Sequence, residues 1–308
     1  MNYKKIFVYP LESIFYNTVF RLFLKRTPKY QKQYRISIVG IFKNESRFLK
    51  EWIEFHIMIG IDHFYMYNNN SEDDYLSVLQ PYIDNGFVTL IQWTKDHAQM
   101  EAYQHFFEHY GKETQWMSFL DIDEFLVPRY KSDINDWIRD YEKYPVILIY
   151  WKMFGTSGLM KHDYNKLTIE QYVVCHDGFP THRGKCIVNT DYPVAFYNEL
   201  THHNTCVKYK IFDFKMRVQP INVFKRFIID KYLYSFLDRP KKATMQINHY
   251  WSKAWDVYDE KRKRTDVFFA NNPKKDLKYF YANEDFNTTT DYLIFRFLVR
   301  LKLTLNRI

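Results

Sequence analysis

Phe119-Leu120-Asp121-Ile122-Asp123-Glu124-Phe125-Leu126 is the stretch on which the rest of the chain turns. Three carboxylates stand between two apolar pairs, so acidic residues end a strand that is otherwise buried. Clustered acids in such a place are costly unless they are paired or bound to a metal. If the strand continues, Asp121 and Asp123 point to one side and Ile122 to the other. Carboxylate oxygens suit Mg²⁺ and Mn²⁺, and such a cation neutralises the charge of a departing diphosphate. Taken alone, the triplet reads more readily as an acidic turn salt-bridged to Lys or Arg. Its place in the chain tips the balance toward a metal.

That place is defined by what lies upstream. Arg35-Ile36-Ser37-Ile38-Val39-Gly40-Ile41-Phe42 is nearly all apolar, as in a strand covered on both faces. From Glu45 to Gly60 the apolar spacing turns helical, and Gly60 supplies a stop. His63 to Tyr67 reads as a second strand, and Asn68-Asn69-Asn70-Ser71 as a loop whose Ser71 can cap a helix running toward Pro81. A third strand is expected over Gly86–Ile91, a helix over Ala98–Tyr110 and a fourth strand over Trp116–Leu120. This alternation predicts an α/β fold with a Rossmann-like, mostly parallel sheet flanked by helices. Ligands of such sheets bind beyond the carboxyl ends of the strands. Those ends are Lys43-Asn44-Glu45, Asn68-Asn69-Asn70 and the acid triplet.

Downstream of Pro128 the pattern loosens. Val146–Trp151 reads as another strand, Phe154–Gly158 as a loop, and residues 160–250 as short strands, turns and polar clusters on the acceptor side. The expected organisation is a basic amphipathic segment over 1–34, a main domain over 35–265 and a helical segment over 266–308. The main domain divides into a nucleotide-binding half, 35–128, and an acceptor half, 129–265. The end segments can lie in the surface of an anionic membrane or pack on the domain's own core.

Three more clusters carry chemistry. In Asn248-His249-Tyr250, a neutral His249 imidazole can complete a metal shell, although a lone His is more often unremarkable. Lys43, Asn44, Glu45 and Asn68 can read a base and a ribose through paired hydrogen bonds. The alternatives there are a helix cap at Asn44 and an Asn-built turn. Arg183 and Lys185 can meet a diphosphate or an anionic acceptor, or can form a solvated basic edge strand.

Bulk composition narrows the class. A net charge of +8 fits a nucleotide diphosphate, an anionic membrane or a nucleic acid. No nucleic-acid module is visible, so no nucleic-acid partner is expected. The three cysteines, Cys175, Cys186 and Cys206, have no CxxC spacing, so a disulfide framework or a zinc site is not indicated. With no apolar run of membrane-spanning length and no secretory cleavage pattern, the expected location is the cytoplasm, peripherally on the inner face of its membrane.

Several blocks together resemble glycosyltransferase family 92 and its bacterial family-2-like relatives. They are Lys43–His56, Gly60–Ser71, Trp116–Pro128, Met153–Gly158, Arg183–Val188 and Asn248-His249-Tyr250. They occur in the family's order and span roughly residues 35 to 265. The resemblance implies a GT-A fold, a nucleotide-sugar donor such as a UDP-sugar, and Mn²⁺ or Mg²⁺. It would set Asp121 near the ribose or the metal, Asp123 on the metal and His249 as a further ligand, with Glu45 and Asn68 on the nucleoside. It also implies an inverting reaction, which requires a general base. Asp177, Glu124 and Glu199 are the candidates, and Asp177 is preferred for its place in the loop-rich acceptor half.

The expectation is therefore a metal-dependent, inverting transferase of a hexosyl group to a glycan or lipid-linked glycan in bacterial surface polysaccharide synthesis. Two rivals stand beside it. A sugar nucleotidyltransferase would bring a Gly-rich loop after the first strand, which Lys43-Asn44-Glu45 does not supply. An idle glycan-binding scaffold would have no need of the intact acid triplet.

Overall fold

Tyr34–Phe42 forms β1, buried from Ile36 onward because neighbours cover both faces and both edges. It pairs in parallel with β2 (His63–Asn68) on one side and with β4 (Thr114–Phe119) on the other, and β2 pairs in parallel with β3 (Val88–Gln92). The computed structural model describes residues 9–24, 32–179, 183–195, 206–211, 214–228, 243–263 and 275–306. Helices α1 (Ser46–Met58), α2 (Tyr75–Asp84) and α3 (Gln99–His109) connect these strands. Phe42 stands opposite Asn68, and Asn68 opposite Gln92, so the carboxyl ends of three parallel strands share one edge.

The second half adds mixed strands to the same surface: β5 (Glu124–Pro128), β6 (Val146–Met153), β8 (Gly184–Asn189), β12 (Ile221–Asn222) and β13 (Met245–His249). The order is β3-β2-β1-β4-β8-β6-β13-β5, with β12 beside β6. β8 runs antiparallel to both β4 and β6, β13 runs parallel to β6, and β5 antiparallel to β13. Short strands lie off this sheet: β7 (Val174–His176) pairs with β14 (Asn287–Thr290), and β9 (Val194–Ala195), β10 (Cys206–Ile211) and β11 (Phe214–Val218) form a third sheet. This is the expected α/β arrangement, a mostly parallel sheet flanked by helices.

Several local expectations shift. The third strand starts at Val88, because Gly86 takes φ +76° in the turn before it. Ser71 caps no helix. Its hydroxyl accepts the Asn44 N–H at 2.9 Å, and α2 begins only after Asp74. Asn44 is not the cap of α1 either. It takes φ +55°, and Asp73 from the neighbouring loop accepts the Ser46 N–H at 2.8 Å. Nor does β8 lie at a solvated edge, since β4 and β6 cover both its sides.

The described parts of both end segments touch the domain. α4 (Trp255–Lys263) and α5 (Leu277–Glu284) precede α6 (Leu298–Leu305). Ile294, Phe297 and Leu301 are buried, and the Phe297 ring meets Phe55 of α1 at 5.7 Å. An N-terminal helix over residues 9–23 lays Phe20 against Phe227.

Candidate active site

β4 ends at Phe119, and the Leu120 N–H makes one more ladder bond, 3.1 Å to the Val39 carbonyl. The chain then turns. The Glu124 N–H donates to the Asp121 carbonyl at 3.0 Å, and the Glu124 carboxylate accepts the Asp121 N–H at 3.1 Å. Asp121-Ile122-Asp123 therefore lies in a tight turn between β4 and β5, not on a continuing strand. The alternation expected of the two aspartates gives way to this turn, and α1 fixes it from below. The Trp52 indole donates to the Glu124 carbonyl at 2.8 Å, and His56 Nε2 accepts the Leu126 N–H at 3.2 Å.

The two aspartates look to different partners. Asp121, whose side chain is 36% exposed, receives Lys185 Nζ at 3.0 Å and Gln99 Nε2 at 3.3 Å. Lys185 is itself fully buried and stands 3.6 Å from Glu124. Burial alone would lower its pKa, but Asp121 and Glu124 outweigh burial and raise it, so the ammonium stays charged. Glu124 is pushed well above the usual carboxylate range, by burial first and then by Asp121 and Asp123, against the pull of Lys185. Asp123 behaves in the opposite way. Burial pushes its carboxyl up, but Lys261 and His249 outweigh that and hold it well below the usual range. Lys261 of α4 places Nζ 2.5 Å from Asp123 Oδ2.

His249 reaches the turn through sheet register. At the end of β13 it sits opposite Glu124 of β5, and the next residue, Tyr250, donates its N–H to the Asp123 carbonyl at 2.8 Å. His249 Nε2 is 3.5 Å from Asp123 Oδ1, and its ring packs on Trp151 at 4.7 Å. Burial lowers the imidazole's pKa, so it is neutral at physiological pH. Its Nδ1 is buried without a hydrogen-bond partner. Among the described residues, no three His, Cys, Asp or Glu side chains gather tightly enough to cage an ion. One carboxylate and one neutral imidazole side by side nevertheless fit a divalent cation that takes its other ligands from diphosphate and water, as Mg²⁺ commonly does.

The remaining expected residues are distributed as follows. Asn68 is buried, with its amide already committed: Nδ2 donates to Gln92 at 2.7 Å and Oδ1 accepts the Ser71 N–H at 3.0 Å. Asn44 Oδ1 accepts the Glu72 N–H at 2.7 Å, and Glu45 is buried at the start of α1. Lys43 follows β1 directly, at the shared carboxyl edge. Arg183 is exposed just before β8, and its carbonyl accepts the Trp151 N–H at 2.8 Å. Asp177 is exposed in the bend after β7. Glu199 lies outside the described residues. Gln99 and Lys261 were not singled out in the sequence. One opens α3 and the other stands in a basic helix end, and neither position carries a local signal for a partner far along the chain.

Residues 32–278 match the model of glycosyltransferase family 92. The chain belongs to glycosyltransferase family 92. Within this family it is similar to a family 92 protein of Ricinus communis, 27% identical over 236 residues, which are 75% of this chain and 38% of that protein. A family 92 protein of Oryza sativa subsp. japonica is 27% identical over 243 residues, 76% of this chain and 37% of that one. A galactan β-1,4-galactosyltransferase of Arabidopsis thaliana is 30% identical over 132 residues, 39% of this chain and 26% of that enzyme. The chain thus spans under two fifths of the length of these relatives. Among solved structures, S. aureus TarS 1-349 is similar at 13% identity and a TM-score of 0.36, over 51% of this chain and 47% of that one. The family 92 match takes in the acid turn, Lys185, His249 and Lys261.

Proposed function

We propose that this family 92 chain is a metal-dependent glycosyltransferase. It moves a hexosyl group from a nucleotide-diphosphate donor, a UDP-sugar, to a hydroxyl of a glycan or lipid-linked glycan, with inversion. The observation that carries the reading is the pairing of Asp123 with a neutral His249 beside Asp121, at the edge where parallel α/β sheets bind nucleotides. The galactosyltransferase named among its relatives agrees with hexosyl transfer. In this reading the protein works in surface polysaccharide assembly of a bacterium, on the cytoplasmic face of the membrane.

Lys43, Asn44, Glu45 and Asn68 form the wall toward the nucleoside, with Asn68 holding the loop in shape. Asp121, oriented by Gln99 and Lys185, presents its free edge to the ribose or the ion. Asp123 and His249 would hold Mn²⁺ or Mg²⁺, which would supply positive charge to the oxygens of a leaving diphosphate. Arg183 and Lys261 add fixed positive charge for the same oxygens. An acceptor hydroxyl must lose its proton to a solvent-facing base. Glu124 is sealed from solvent and tied to Asp121 and Lys185, whereas Asp177 is exposed. We assign the base to Asp177, with Glu199 as the alternative.

Asp123→Ala is expected to abolish sugar transfer and the Mn²⁺-dependent thermal stabilisation by UDP, with the fold intact by circular dichroism. Transfer retained by that folded variant refutes the assignment. In the same assay Asp177→Asn should lose kcat while still binding UDP; an unchanged kcat moves the base elsewhere.

One observation favours a second reading. Lys261 Nζ stands against Asp123 where a divalent ion would sit. A transferase whose own ammonium replaces the metal would keep full activity in EDTA, and that result would decide for it.

A further inference from the structure

The N-terminal helix is apolar on two faces. It consists of an α-helical turn, Tyr9–Ile14, a π-helical stretch, Phe15–Phe20, and a last turn, Arg21–Phe23. The π-helical stretch widens the turn, so residues four apart stay on one face. Tyr16, Phe20 and Leu24 form the inward stripe. The Tyr16 and Phe20 rings meet Phe227 at 5.7 and 5.5 Å, and Asn17 Oδ1 accepts the Phe227 N–H at 3.0 Å. Leu11, Phe15, Val19 and Phe23, with Ile14 and Leu22 beside them, form an outward stripe that is all exposed. Leu11 is 68% and Leu22 84% exposed, so most of each side chain lies outside the domain's own packing.

A contiguous exposed apolar stripe on a surface helix marks an interaction site. We propose that this stripe seats the protein in the interfacial layer of an anionic lipid bilayer, with the helix lying in the plane. Charge selects the occupant. The sequence brackets the helix with Lys4 and Lys5 before it and Lys25, Arg26 and Lys29 after it, and the whole chain carries +8. An apolar face between basic ends matches acyl chains below anionic headgroups. A second copy of the chain would bring the same basic ends together and be repelled. The inward stripe clamps the helix to the loop that carries Phe227, so the domain is held directly against the surface. The inference deepens the membrane placement of the proposed function, and because it is tested without an activity assay its failure leaves the sugar-transfer reading standing.

The full chain is mixed with vesicles of phosphatidylcholine alone or with added phosphatidylglycerol, and bound protein is measured by flotation. Binding to the phosphatidylglycerol vesicles is expected, at least about tenfold weaker on phosphatidylcholine alone and weakened by salt. Leu11→Glu with Leu22→Glu should lower the affinity about tenfold or more without lowering the melting temperature, because both side chains lie outside the core. Should the double variant melt early, Leu22→Glu alone repeats the test at the more exposed position. Failure to bind phosphatidylglycerol vesicles, equal binding to both lipids, or binding unchanged in the folded variant overturns the proposal. So does a dimer, seen by light scattering, that the variant converts to a monomer.

Discussion

Lys185 shows how one buried charge can organise a site. Its ammonium lies within reach of both Asp121 and Glu124, and without it the two acidic side chains would face each other in a low-dielectric setting. Lys185→Met is expected to destabilise the protein by about 3–5 kcal/mol in urea unfolding, the usual result of breaking a buried pair. Adding Glu124→Gln should recover part of that loss at neutral pH. The Glu124 carboxyl has a raised pKa, so the stability tied to its proton is present at low pH and lost as pH rises. The neutral amide removes this cost. His56 provides a pH test of opposite sign. Buried between the Trp52 carbonyl and the Leu126 N–H, it has its pKa pushed down to about 3 by burial. The unfolded chain therefore binds the extra proton first, from its ordinary pKa of about 6.5 downward. Stability should fall as pH drops from that value toward 3, and His56→Gln should flatten the slope in urea titrations at pH 7 and pH 5.

Among the elements, β8 is the one whose position matters most to the site. It enters the sheet antiparallel to β4, so its first residues lie beside the last residues of β4, and this brings Lys185 under the acid turn. Gly184 makes that entry possible. A Cβ there would stand 1.7 Å from the Ile149 carbonyl oxygen, a backbone atom of β6 that cannot step aside. Gly184→Ala should therefore push β8 off β6 and cost at least about 1–3 kcal/mol, with loss of UDP binding as Lys185 shifts. Thermal melts and UDP titration of the variant check both parts. The same element explains a limit of sequence reading. Arg183-Gly184-Lys185 looks like a solvated basic edge, and local sequence does not reveal that β4 and β6 flank the strand that begins at Gly184. By contrast β1, β2 and β4 were legible, because strands buried on both faces need nearly unbroken apolar runs.

At the scale of the whole molecule, the C-terminal segment completes the main domain. Glu284 of α5 accepts the Thr156 N–H at 3.1 Å and its hydroxyl at 2.8 Å, tying down the loop that follows β6. Glu284→Ala is expected to free that loop, read as faster amide exchange over residues 154–158, with a loss of about 1–3 kcal/mol from the unsatisfied donors. Similar long-range closure joins the opening strands to each other. Asn44, Ser71 and Asp73 bind across two loops, so the carboxyl edge of β1 and β2 is a cross-linked unit and not a set of independent strand ends.

The acid triplet's place after three β-α units, the apolar strands before it and a late His249 are all determined by sequence alone. They depend on residue type and short-range order, and hydrophobic patterning records both. Tertiary structure decided the rest. It turned Asp121-Ile122-Asp123 into a tight corner between two strands that do not pair with each other, set Lys261 against Asp123 and Gln99 against Asp121, and sealed Glu124 away from solvent. Each of these is a contact between residues that lie apart in sequence or a matter of which way a turn faces. Electrostatic partners at short range in space carry no periodic signal along the chain, so only the folded arrangement reveals them.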